Sequence, residues 1–331
     1  MIIRCKAFPR AGLVGNPSDG YFGRTIAFTF DNFFAEVVLY PSKELELLPG
    51  PRDRTVFRSL DMLTDSVGRY GYYGGLRLIQ ATLKRFSEVA REMGVELGKK
   101  NFSLRYFSNI PAHVGMAGSS AIITACLRAL MKFYNIEIPN AQLANLILSV
   151  ETEELGISAG LQDRVAQAYQ GVVFMDFDRA AMEETGQGIY EPIAPEKMPP
   201  VYIAYRTDLS ESSDVFHNDI RARYDRGDPE VTEAMSYWAG LTLRARDALL
   251  TCNRDELGEI LDANFDRRRA IYSIHPDNLA MIDAARATGA SAKFTGSGGA
   301  IVGLFEDETA YGRLVDSLTP MGIKIFRPHL I

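Results

Sequence analysis

The chain is poor in the residues from which metal centres and disulfide frameworks are built: its 331 residues include three cysteines and four histidines. Cys5, Cys126 and Cys252 are far apart and show no paired spacing with histidine. Neither a disulfide scaffold nor a zinc site is indicated, and the thiols read as core residues. An excess of positive charge is missing too. Lysine and arginine number 36 against 42 aspartates and glutamates, a net charge of −6 with a pI near 5.4. A polyanion finds no basic field on such a chain, so nucleic acid is not an expected partner. No apolar run approaches the roughly 20 residues of a membrane span, and Met1 to Gly12, with Arg4 and Lys6, contain no stretch suited to a signal peptide. The expectation is no membrane partner and a cytoplasmic location. What remains is globular composition, 47% hydrophobic and 24% charged, which excludes disorder and fibres. A chain of this length predicts two domains.

The apolar pattern alternates in β-rich runs at Ile2–Phe8, Thr25–Phe30 and Ala35–Tyr40, broken by Pro9, the Gly12-Leu13-Val14-Gly15 stretch and the turn Asn16–Gly20. This predicts antiparallel strands. Helical spacing follows over Thr55–Gly68 and over Gly75–Met93, where Leu76, Ile79, Leu83, Phe86 and Ala90 recur at three and four. A strand at Phe102–Ser108 leads through a glycine-rich turn to an apolar helix, Ser119–Tyr134. Pro139 and Asn140 announce another helix running to Glu154. A helix at Asp163–Tyr169 and a strand at Gly171–Phe177 follow. Asp178–Pro200 then loses periodicity and collects glycine and proline, as a linker does. Beyond it the pattern predicts a strand at Val201–Tyr205, helices at Asp228–Thr251, Arg254–Tyr272 and Pro276–Thr288, and strands at Ala292–Thr295, Ile301–Phe305 and Ile323–Arg327, with a helix before the last. Strands and helices in runs, without strict βαβ alternation, favour an α+β fold.

Three stretches could carry chemistry. In Pro111–Ala121 two glycines (Gly115, Gly118) and two hydroxyls (Ser119, Ser120) stand between a strand and a helix start, where free N–H groups attract anions. Glycine there lets a phosphate approach, and the serines can donate to phosphate or hold a metal-bound oxygen. The same residues also suit a plain serine cap after a flexible turn, and the order of a P-loop is missing. In Lys293–Ala300, three glycines and Ser297 lie between two strands; a tight hairpin accounts for part of this, and surplus glycine suggests close approach to the backbone. The third feature is a carboxylate pair, Glu151 and Asp163. Phosphoryl transfer asks for a metal holder and a base near the acceptor hydroxyl, and two carboxylates can divide those tasks. Acidic residues at helix ends are also commonly just solvated.

Taken together the stretches resemble the GHMP kinases, whose three motifs occur in this order. The strings Arg10–Asp19, Gly71–Leu78, Gly156–Arg164 and Lys293–Ala300 are most similar to the branch of that family that phosphorylates glucuronate. The resemblance implies a two-domain fold: a ribosomal protein S5-like ATP-binding domain over 1–185 and a ferredoxin-like domain over 186–331. It implies ATP and Mg²⁺ as cofactors and a monomer or homodimer. Gly115, Ala117, Gly118, Ser119, Ser120, Ala121, Gly296, Ser297 and Gly298 would bind the nucleotide phosphates. Ser120 and Glu151 would hold the metal, with Glu153 and Glu154 as rivals. Asp163 would be the base and Arg10 the cation beside it. The chain departs from the family in one extra residue between Pro111 and Gly118 and in Met116-Ala117, where Leu-Gly is common.

Position 16 bears on the substrate. Galactokinases carry a glutamate where this chain has Asn16. Against a substrate carboxylate about 4 Å away, a glutamate would cost on the order of 4 kcal/mol at an effective dielectric near 20, and an amide avoids that cost. A uronic acid therefore fits better than a hexose, although asparagine before proline also suits the turn itself. Asp19 would take ring hydroxyls. Arg24, Arg77, Arg206, His217 and Arg221 are the candidate cations for the acid, led by Arg77, His217 and Arg221. The implied activity is an ATP-dependent sugar-acid 1-kinase; kinases of galactose, galacturonate or a heptose, and a non-catalytic sugar- or nucleotide-binding regulator, are the alternatives.

Overall fold

The structure, a computed structural model, describes residues 1–50, 53, 57–64, 74–207 and 214–331, with 214–219 described by backbone alone. Its strands are β1 (Ile3–Ala7), β2 (Arg10–Val14), β3 (Arg24–Thr29), β4 (Ala35–Pro41), β5 (Glu46–Leu48), β6 (Phe102–Ser108), β7 (Val172–Asp176), β8 (Ile189–Ile193), β9 (Val201–Tyr205), β10 (Lys293–Phe294), β11 (Ala300–Leu304) and β12 (Lys324–Phe326). By contact the chain forms two compact units that interleave in sequence. The first holds Met1–Pro9, Phe33–Ile110 and Ala117–Ala168; the second holds Arg10–Asn32, Pro111–Met116 and Tyr169–Ile331. This grouping cuts the chain differently from the consecutive 1–185 and 186–331 division, which concerns sequence domains.

In the first unit a sheet of order β1-β4-β6-β5 is antiparallel except at its β5–β6 edge. The helix Gly118–Tyr134 packs on β1 and β4. Nearly every residue from Ser120 to Leu130 on it is buried, as its unbroken apolar character requires of a helix with no solvent face. The helix Gly75–Glu92 instead buries one face, with Ile79, Phe86 and Ala90 inward. It lacks a side-chain cap at Gly74, and its first amides are answered from elsewhere: Gly75 N donates to the Tyr106 hydroxyl at 2.9 Å and Leu76 N to Asp53 Oδ1 at 3.2 Å.

The second unit contains two four-stranded sheets, β2-β3-β7-β8 and β10-β11-β9-β12, antiparallel throughout. The helix Pro229–Leu250 packs on β3. Its Trp238 is fully buried and donates from Nε1 to Asn264 O at 3.0 Å on the helix Arg254–Ile271. Tyr202, Phe265, Phe294, Leu314 and Leu318 belong to the core on the other sheet. Antiparallel sheets with helices in runs make the fold α+β, as the pattern predicts.

One expectation is corrected. The stretch 178–200 is structured: Asp178 caps the helix Arg179–Thr185, and β8 pairs with β7. Its prolines and glycines belong to an edge strand and turns, where proline removes no ladder bond. The helix Asp214–Asp225 was not anticipated. Of the helix expected over 55–68, residues 60–64 are helical, and 55–56 and 65–68 lie outside the described residues. Among the described residues no helix is long and apolar enough to cross a membrane.

Candidate active site

In the first unit, no side chain caps the start of the helix Gly118–Tyr134. Ala117, the residue before it, lies in the left-handed region at φ 58°. That conformation suits glycine, which explains why a glycine is common there in the family and makes Ala117 a strained substitute. Ser119 does not turn back to cap the helix. Its hydroxyl donates to Glu151 Oε1 at 2.7 Å, and the Ser120 hydroxyl donates to Ala117 O at 3.2 Å. Backbone amides at an uncapped helix start form an anion site.

Glu151 is fully buried. The helix Asn140–Ser149 continues to Glu154, as expected, through a wide π turn, Val150–Glu154. Such turns re-aim side chains and recur at functional sites. Arg164 donates to Glu151 Oε2 from Nε at 2.7 Å and also from Nη2. Its Nη1 lies 3.2 Å from Asp163 Oδ2. One guanidinium thus spans the two carboxylates singled out by the sequence. Glu153 and Glu154 face other cations, Arg85 and Lys84.

Among the described residues no group of three or more His, Cys, Asp or Glu could hold a metal. Ser120 and Glu151 offer the hard oxygens that Mg²⁺ prefers. Those donors suit the ion on condition that Glu151 gives up one of its present partners.

In the second unit, Arg10 is buried and donates from Nη1 to Gly115 O at 2.6 Å and to Thr295 O at 3.1 Å. The glycine stretch 296–299 is a hairpin loop between β10 and β11, and something does approach it. A Cβ on Gly296 would stand 2.7 Å from Gly115 O, and one on Gly115 would stand 3.0 Å from Gly298 O. Arg268 holds the loop from beneath through Gly296 O at 2.7 Å and Ser297 O at 2.9 Å. Lys293 is buried and donates to Gly12 O, Phe294 O and Asn16 Oδ1, each at 2.7 Å. Three acceptors match the three N–H bonds of an ammonium. Burial first, then Arg268 and Arg10, nevertheless pull its pKa well below the ordinary lysine value.

The candidate sugar ligands are divided between the units. Asn16, Asp19 and Arg221 belong to the second unit and Arg77 to the first. Asn16 presents its Oδ1 to Lys293, which leaves its amide N–H groups as donors. Arg221 donates to Gly20 O at 2.6 Å and stacks on Tyr21 at 4.2 Å. Arg77 donates to Leu155 O at 3.3 Å. Arg24 is paired with Asp176, Nε to Oδ2 at 2.6 Å. The His217 side chain and residues 71–73 of the Gly71–Leu78 string lie outside the described residues. Sequence reasoning quoted Arg164 and Lys293 inside larger strings but gave them no role; each stands in a motif, and only the fold shows what it holds.

The comparisons agree with this architecture. The GHMP kinases N terminal domain matches residues 77–171 and the GHMP kinases C terminal domain matches 245–320. The chain belongs to the GHMP kinases. It is 44% identical over 306 residues to glucuronokinase 1 of Arabidopsis thaliana, covering 91% of this chain and 84% of that protein. It is likewise 44% identical over 304 residues to probable glucuronokinase 2 of the same plant, covering 90% and 82%. The crystal structure of Lactococcus lactis galactokinase complexed with galactose shares the fold, with a TM-score of 0.77 at 14% identity, covering 99% of this chain and 93% of that one.

Replacing Arg164 with Gln leaves Glu151 buried without its cation. We expect a loss of about 3–5 kcal/mol in unfolding free energy, read by denaturant titration; a loss under about 1 kcal/mol would show that the pair is not stabilising the fold. For Lys293, a lowered folded pKa means that the unfolded chain binds more protons between that pKa and about 10.4, so its contribution to stability rises with pH across that interval. The stability deficit of Lys293→Met should therefore widen as pH rises toward about 10, and a deficit that is flat or shrinks with pH contradicts the shift.

Proposed function

We propose that this chain is a glucuronokinase: it transfers the γ-phosphoryl group of ATP to the anomeric hydroxyl of D-glucuronate, giving D-glucuronate 1-phosphate and ADP. The observation that carries this reading is the 44% identity to a glucuronokinase across nine-tenths of the chain. The amides of Gly118, Ser119 and Ser120 receive phosphate oxygens at the uncapped helix start, where they stabilise the charge of the transferring group. Mg²⁺, carried in with ATP, would be held by Ser120 and Glu151 and would offset phosphate charge. Asp163 takes the proton of the acceptor hydroxyl, and Arg164 orients that carboxylate. Arg10, joined to Gly115 and Thr295, holds the glycine loops in place for the nucleotide. Asn16, Asp19 and Arg221 face the sugar; the amide at position 16 and the guanidinium at 221 favour an acidic one.

A coupled ADP-release assay over glucuronate, galacturonate, galactose, mevalonate and a heptose tests the reading. Glucuronate should give the highest kcat/KM by at least about tenfold; a neutral sugar or mevalonate in first place overturns it. Asp163→Asn should lower kcat by about 10²–10⁴ while ATP still binds, and full turnover in that variant removes Asp163 as the base.

A further inference from the structure

Tyr272 closes the helix Arg254–Ile271 and is 8% exposed. Its hydroxyl has no hydrogen-bond partner among the described residues. A buried hydroxyl left unpaired is a net cost to the folded chain, and a phenylalanine would fill the same space without that cost. The surroundings are charged rather than apolar. The Arg268 guanidinium lies 5.0 Å from the ring centre, and Asp19, Tyr21 and Arg221 are near enough to act on the phenol electrostatically. Burial, the larger effect, raises its pKa far above the ordinary tyrosine value, so the group is a neutral O–H donor.

Arg221 presents a complementary deficit in the same group. Its guanidinium carries five N–H donors. Among the described residues it donates to Gly20 O and stacks on Tyr21, and it forms no ion pair with a carboxylate. A phenol donor without an acceptor and a guanidinium without an anion are both answered by a carboxylate, one oxygen to each. Asp19 and Asp225 are the acids of this group, and Arg221 and Arg268 its cations.

We infer that the Tyr272 hydroxyl, together with Arg221, binds the carboxylate of the acid sugar, which makes Tyr272 a specificity-determining residue. This inference rests on the glucuronate reading above and names the partner of the sugar's acid group.

Tyr272→Phe separates the two roles a buried tyrosine can have. Loss of an unpaired hydroxyl should leave the melting temperature of the free protein unchanged or raised. At the same time KM for glucuronate, and its dissociation constant measured by titration calorimetry, should rise roughly 10- to 100-fold, with kcat changed less than about threefold and KM for ATP unchanged. D-glucuronamide, in which the acid is a neutral amide, should bind both forms within about twofold. In a double-mutant cycle, Arg221→Gln should weaken glucuronate binding much less in the Tyr272→Phe background than in the wild type, since the two hold one group. Glucuronate affinity within about twofold of wild type overturns the inference, as does equal weakening of the acid and the amide. Wild-type protein that binds glucuronate without releasing ADP overturns the kinase reading instead, and the calorimetric comparison still decides on Tyr272.

Discussion

A loop made of glycine has nothing to hold itself with except its peptide groups, and in the second unit those groups are held by buried cations. Arg10 takes the carbonyls of Gly115 and Thr295, Arg268 those of Gly296 and Ser297, and Lys293 those of Gly12 and Phe294. Charge-assisted bonds to carbonyls are among the strong ones. They are needed because the two loops pass so closely that Gly296 has no room for a methyl group. The glycines permit the approach and the cations fix it. The cost appears in Lys293, whose proton is opposed by burial and by its two guanidinium neighbours.

The first unit buries an acid. Glu151 is buried by a π turn and held by Arg164 and Ser119. That arrangement has a consequence for the helix that begins at Gly118. Because the Ser119 hydroxyl donates to Glu151, it is not folded back on the amides of its own helix start, and those amides keep their capacity for an external anion. The buried acid thus keeps the nearby hydroxyl off the helix start. Arg164 extends the same logic to Asp163, whose carboxylate it also meets.

Local pattern made much of this legible. The strand at 102–108, the apolar helix from Gly118 and the hairpin at 293–302 are written in spacing and glycine content, because each is decided by neighbours a few residues away. The 178–200 stretch misled for a physical reason: proline and glycine serve an edge strand as well as a linker, and only pairing with β7 distinguishes them. Arg24 looked available for substrate because its partner, Asp176, is 152 residues distant. Arg164 and Tyr272 were beyond reach on the same ground. A guanidinium that turns to a glutamate thirteen residues earlier leaves no periodic signal, nor does a hydroxyl that finds no partner.

Asn16 shows how a local reading can be incomplete in cause. From sequence, a neutral residue there avoids repelling an acidic sugar. In the fold, the amide also occupies the Lys293 ammonium. A glutamate at 16 would meet that lysine as a buried ion pair, so its charge would be cancelled internally more than it would be presented to a ligand. Position 16 is in this way tied to the same lysine that holds the glycine hairpin, so a change at either residue acts on the other.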